Sequence, residues 1–129
     1  MRILRVAVLG AIAVASAAPA ALRAEADASD PVASHCSPSG DVCYAIVRKS
    51  GALYLDLTTY TRYFLRYRLC VKPPRGVASC RSFPMRKRGQ FDRSSVLWHR
   101  NYPGRGPGRY VVTWRLQQPL GSSLSFRLR

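Results

Sequence analysis

The stretch Arg62-Tyr63-Phe64-Leu65-Arg66-Tyr67-Arg68-Leu69-Cys70-Val71-Lys72 sets the fold class. Tyr63, Leu65, Tyr67, Leu69 and Val71 alternate with Arg62, Phe64, Arg66, Arg68, Cys70 and Lys72. Successive side chains of a strand point to opposite faces, so a period of two sustained over this length is a half-buried β-strand and not a helix. One face is apolar and builds a core; the other is largely arginine.

Downstream, Pro73-Pro74-Arg75-Gly76 forms a turn midway between Cys70 and Cys80. The two cysteines are symmetric about that hairpin and can face each other across it. In that register Arg68 faces Ser82 and Arg66 faces Pro84, which places the disulfide on the basic face. The same register puts Arg81 beside Phe83 and Met85 on the inner face, a conflict that an edge position or a bulge would relieve. Of the three pairings open to four cysteines, this one leaves Cys36 with Cys43 around Ser37-Pro38-Ser39-Gly40. Loop-closure entropy then contributes about 2.5 kcal/mol for the shorter loop and about 2.8 for the longer. Six and nine intervening residues do not match the closely spaced cysteine pairs of a zinc site.

Outward from this hairpin the strand signals continue. Val42 to Arg48 and Ala52 to Thr58 are β-rich runs joined at Lys49-Ser50-Gly51. Phe91 to Trp98 alternates weakly, with Val96 and Trp98 inward; a helical turn over Asp92 to Leu97 is the alternative. Gly106-Pro107-Gly108-Arg109 fits a type II turn. Tyr110, Val112, Trp114 and Leu116 then alternate with Arg109, Val111, Thr113 and Arg115, and Leu124, Phe126 and Leu128 with Ser123, Ser125, Arg127 and Arg129. About seven strands with regularly spaced turns describe an all-β protein, an antiparallel β-sandwich over 42–129.

Composition agrees. The 129 residues are 47% apolar, too many for a disordered basic tail and too few in number for a multidomain protein. Met1 to Arg5 is positively charged, Val6 to Leu22 is uncharged and rich in Ala, Val and Leu, and small residues follow. That order is the apolar helix of a secretory signal peptide over 1–26, cut after Ala24-Glu25-Ala26, with Ala18-Pro19-Ala20 as the alternative site. The run is dominated by alanine and broken by Pro19, which disfavours a retained membrane anchor. Residues 27–41 are small and polar and are expected to be a flexible leader. The expected location is extracytoplasmic, where the cysteines oxidise. Removing Arg2, Arg5, Arg23 and Glu25 changes the net charge from +15 to 15 − 3 + 1 = +13.

Pro107-Gly108-Arg109-Tyr110-Val111-Val112-Thr113-Trp114, a turn followed by G-x-Y-x-V-x-W and a last hairpin strand, resembles the penultimate strand of immunoglobulin-like or fibronectin-III-like bacterial domains. The resemblance covers mainly 107–128. It implies an Ig-like sandwich in which Tyr110 is a tyrosine corner, its hydroxyl bonding back to nearby backbone, and Trp114 is structural. Trp98 and Trp114 both follow the last cysteine, so the Cys, Trp, Cys order of antibody domains does not apply. The resemblance brings no catalytic residue.

Little in the sequence points to chemistry. Asp27 and Asp30 are set aside in the leader, leaving Asp41, Asp56 and Asp92 for any acid/base pair, and the histidines are His35 and His99. Ser94 or Ser95 with His99 and an aspartate would make a hydrolytic set, but no strained elbow motif presents either serine. His35 beside Cys36 belongs to a disulfide loop, and Gly104-Arg105-Gly106-Pro107-Gly108 precedes a strand rather than the helix a phosphate loop needs. The reading is a non-catalytic module without metal or cofactor, serving protein interaction or a structural role at the cell surface.

The alternative rests on the cations. Arg62, Arg66, Arg68 and Lys72 share a strand face, and Arg86-Lys87-Arg88 would extend it from the neighbouring hairpin arm. Arginine's planar fork suits phosphate, sulfate and carboxylate, and Tyr44, Tyr54, Phe64 and Tyr102 would add stacking surfaces. The partner would then be an extracellular polyanion: wall polymer, acidic polysaccharide or nucleic acid. Residues 27–129 hold 15 Arg and 3 Lys, a skew that coding bias alone also produces.

Overall fold

The alternating runs form nine strands in the computed structural model, which describes residues 30–129; the signal peptide expected over 1–26 and residues 27–29 of the expected leader lie outside the described residues. In chain order these are β1 (Asp30–Cys36), β2 (Val42–Lys49), β3 (Ala52–Thr59), β4 (Arg66–Lys72), β5 (Ser79–Pro84), β6 (Arg86–Arg88), β7 (Phe91–Leu97), β8 (Gly108–Arg115) and β9 (Leu124–Leu128). One helical turn, α1 (Trp98–Asn101), lies between β7 and β8. All pairings are antiparallel, giving a five-stranded sheet in the order β1-β2-β3-β7-β6 and a four-stranded sheet in the order β5-β4-β8-β9. The fold is an all-β sandwich.

Three differences from the sequence reading have physical causes. The leader expected over 27–41 contains β1, which pairs with β2 from Asp30 opposite Arg48 to Cys36 opposite Cys43. Its side chains carry little patterning, and the backbone ladder and the Cys36–Cys43 disulfide hold it instead. The turn between them closes through Ser37 N–H to the Val42 carbonyl and Gly40 N–H to the Ser37 carbonyl, both 2.8 Å. Second, the expected strand over 62–72 starts only at Arg66, because residues 60–65 cross from the five-stranded sheet to the four-stranded one. Tyr63 and Leu65, expected inside, are therefore 53% and 64% exposed. Third, the helical turn falls at Trp98–Asn101, after β7, rather than at 92–97.

The core lies between the inner faces. Ile46, Leu53, Leu55 and Leu57 from one sheet meet Tyr67, Leu69, Val71, Val112, Trp114 and Phe126 from the other, with Trp98 and Tyr102 closing one end. Trp114 stacks on Tyr44 at 4.6 Å between centroids, and Tyr110 on Phe126 at 4.9 Å, with Trp98 edge-on to both of the latter. Such ring pairs add to the area they bury. The Tyr110 hydroxyl donates to the Gly106 carbonyl at 2.8 Å, the backbone bond expected of that residue. Gly108 begins β8 at φ 129°, and a Cβ there would meet Pro74 at 2.7 Å, so the β4–β5 loop packs against a position only glycine fits.

Candidate polyanion-binding face

The register of β4 and β5 is the one the turn predicts: Arg66 opposite Pro84, Arg68 opposite Ser82 and Cys70 opposite Cys80. The cysteines are bonded, with Cα atoms 4.0 Å apart, and the second disulfide joins Cys36 to Cys43. Arg81 faces Leu69 on the inner side, but β5 is the sheet edge, so its guanidinium reaches out and donates to the Asn101 carbonyl at 3.1 Å.

Directly paired residues of antiparallel strands project to the same face. On the outer face of the four-stranded sheet β4 therefore presents Arg66, Arg68, Cys70 and Lys72, and β8 presents Arg109, Val111, Thr113 and Arg115. From β9 come Ser125 and Arg127. The register sets Arg68 opposite Arg115 and Arg109 opposite Arg127, two cross-strand pairs of like charge. Opposed like charges destabilise a sheet by roughly 0.2–1 kcal/mol unless a counter-charge intervenes.

Among the described residues no acidic side chain supplies it. Asp30, Asp41, Asp56 and Asp92 all belong to the five-stranded sheet or its turns, and residues 60–91 and 93–129 contain no aspartate or glutamate. The comparison within the molecule is direct. Arg86 and Arg93 also oppose each other, across β6 and β7, but there Arg93 donates to Asp56 at 3.2 Å. On the four-stranded sheet Arg66 reaches Ser82, through its hydroxyl at 3.2 Å and its carbonyl at 3.3 Å, and Arg115 reaches the Gln117 carbonyl at 3.2 Å. Arg66, Arg68 and Arg115, with Ser82, Leu116 and Gln117, line an open depression of about 410 Å³. Guanidinium forks placed in this way are able to hold anionic oxygens.

Four of the seven cations singled out in the sequence do not belong to this face. Arg62 lies in the link before β4 and donates to buried Asp92 of β7 at 3.0 Å, an ion pair between side chains 54% and 5% exposed. Arg86, Lys87 and Arg88 form β6 on the edge of the other sheet, because the chain changes sheets at Pro84 and Met85. Pro84 cannot extend the ladder, and the Met85 N–H bonds the Leu65 carbonyl at 2.8 Å. The aromatic residues are elsewhere too. Tyr44 and Tyr102 are buried, Phe64 packs on the core, and Tyr54 sits on the outer side of β3.

Arg109, Arg115 and Arg127 replace them. Each is visible in the sequence as the polar half of an alternating run; what the sequence lacks is the strand order that sets β8 beside β4. Among the remaining polar groups, the Ser94 and Tyr67 hydroxyls bond each other at 2.7 Å, and Ser95 donates to Asp56 at 2.5 Å. Arg105 binds the Tyr102, Gly104 and His99 carbonyls and lies over the Trp98 ring at 5.2 Å, so its charge holds the α1–β8 loop. No family model matches the chain, and no match is found among curated proteins or solved structures.

Proposed function

We propose that this protein is a non-catalytic, exported β-sandwich module that binds an anionic polymer through the outer face of its four-stranded sheet. The observation that carries this reading is the pair of opposed arginines, Arg68–Arg115 and Arg109–Arg127, on a sheet whose described residues include no acidic side chain to neutralise them. An anion bound there removes a repulsion the free protein bears. Export is supported by the two disulfides, which fit an oxidising compartment, and among the described residues no helix is long and apolar enough to cross a membrane. A non-catalytic role is supported by Ser94 and Ser95, whose hydroxyls are engaged with Tyr67 and Asp56. The Ig-like kinship is supported by the layering: β2-β3-β7-β6 over β4-β8-β9 has the four-over-three strand order of a constant-type immunoglobulin domain, with β1 and β5 added.

Binding to immobilised heparin should fall steeply and log-linearly with salt, as counter-ion release demands. The Arg68→Glu/Arg115→Glu double variant should elute at clearly lower salt than Arg86→Glu/Arg88→Glu, which makes the same charge change on the other sheet. Equal elution of the two variants would refute the assignment to this face. A protein-interaction role is the second reading, favoured by Tyr60, Tyr63 and Leu65 standing exposed in one link. It predicts salt-tolerant association that Tyr63→Ser/Leu65→Ser abolishes.

A further inference from the structure

We infer that the polymer is a linear polyanion without bases, lying lengthwise along β4 and β8 and bridging the two arginine pairs; this rests on the reading of the face given above. Arg115 and Arg109 are six residues apart on β8, about 20 Å along the strand. On β4, Arg66 stands about 7 Å beyond Arg68 in one direction and Lys72 about 13 Å from it in the other. The cations thus follow one line about 27 Å long, parallel to the strands.

Across the strands the pattern is different. Each arginine pair occupies two adjacent strands, and the two rows between them hold the Cys70–Cys80 disulfide with Thr113, whose hydroxyl bonds Ser123 at 2.6 Å, and Lys72 with Val111 and Ser125. A ligand lying crosswise meets one pair and then serine, proline or disulfide. A ligand lying lengthwise meets both pairs and Lys72. The two ends differ: Arg68–Arg115 borders the depression, room for one anionic unit, whereas Arg109–Arg127 sits on open sheet.

The face also selects against single-stranded nucleic acid. Its outward residues on β4, β5, β8 and β9 include no aromatic ring, because every aromatic of these strands points inward. Single-stranded nucleic acid is held in large part by bases stacked on aromatic rings, and nothing on this face supplies that. What remains is recognition of regularly repeated sulfate, phosphate or carboxylate groups on a flexible chain. Once one pair is engaged, the second contact is intramolecular, so affinity must depend on whether the chain reaches.

The test is calorimetric titration, at fixed low salt, with three ladders of defined length: sulfated glucosamine–uronate oligosaccharides, inorganic polyphosphates and oligothymidylates. We expect affinity for the first two to rise at least tenfold as the chain passes the length that spans the pairs. The two ladders identify which anion is preferred. Arg109→Ser/Arg127→Ser should remove the step. A smooth rise with charge, or a step that survives this variant, overturns the bridging geometry while the salt-dependent binding stands. Oligothymidylates that bind tighter than both other ladders overturn the exclusion of bases. If no chain of any length distinguishes wild type from Arg68→Glu/Arg115→Glu, the underlying assignment of the face fails instead.

Discussion

Tyr67 shows how much one position decides. Its ring is in the core while its hydroxyl meets Ser94 at 2.7 Å, and burial pushes its pKa up from 10.0 to about 12. Burial raises Tyr102 as well, with the neighbouring Tyr67 adding to the effect; its hydroxyl donates to the Leu69 carbonyl at 2.5 Å. A group whose neutral form is favoured by folding contributes fully below its unfolded pKa, and that contribution is lost as the pH rises through the folded one. Stability should therefore hold to about pH 10 and fall between there and about pH 12. Absorbance of phenolate against pH, read with circular dichroism, should show these two tyrosines ionising only together with unfolding. Tyr67→Phe should cost about 1 kcal/mol at neutral pH and make the alkaline fall shallower; an unchanged alkaline limb would show that Tyr67 does not govern it. Arg62 makes the complementary case, because Asp92 is buried and the guanidinium is its charge partner. Arg62→Gln should lower the melting temperature, and adding Asp92→Asn should recover part of the loss, a non-additivity that equal and independent effects would exclude. The inward position of Tyr67 is legible from alternation alone. The role of Arg62 is not, since it depends on a link crossing between sheets and meeting a strand thirty residues later.

At the scale of elements, the β4–β5 hairpin is where local sequence and tertiary structure agree best. A Pro-Pro-Arg-Gly turn centred between two cysteines fixes the register, the register fixes the disulfide, and both appear as the spacing implies. Replacing the pair by Cys70→Ala/Cys80→Ala should lower stability by about 3 kcal/mol, the chain-entropy value for a loop of this size. The loss should be local in its first effect. Amide exchange should accelerate over Ser79–Pro84, an edge strand with few buried side chains, before it does in β3, whose inner residues are all buried. Uniform acceleration across both would mean that the disulfide does not anchor β5 in particular. Elements less legible in the sequence are those held by non-local bonds. β1 lacks a side-chain pattern because its neighbour supplies the ladder, and β6, expected to extend the basic face from the β5 arm, instead pairs three residues with β7 in the other sheet. Period two identifies which residues share a face of one strand. It carries no information on which strand lies alongside, and the candidate face is a property of that adjacency.

For the whole molecule the decisive feature is the separation of charge. The described strands and turns hold 18 cations, Arg48 to Arg129, and their four aspartates all sit in one sheet or its turns. Repulsion within the other sheet depends on salt: opposed arginines are on neighbouring strands, about 5 Å apart at the backbone, well inside the Debye length of about 30 Å at 0.01 M salt and beyond that of about 3 Å at 1 M. Salt must therefore stabilise this protein, the reverse of its effect on a protein whose surface is dominated by ion pairs. The melting temperature should rise as sodium chloride is increased from low concentration, and Arg127→Thr should raise stability at low salt by about 0.2–1 kcal/mol, with the gain vanishing at high salt. Threonine keeps the β preference of the position, so the change isolates the charge. The same substitution should weaken binding to long polyanions, because it removes one arm of the second arginine pair. Stability and affinity moving in opposite directions is the signature of charges placed for a ligand; a variant that is more stable at low salt yet binds as before would show that the pairing of Arg109 with Arg127 is tolerated rather than used.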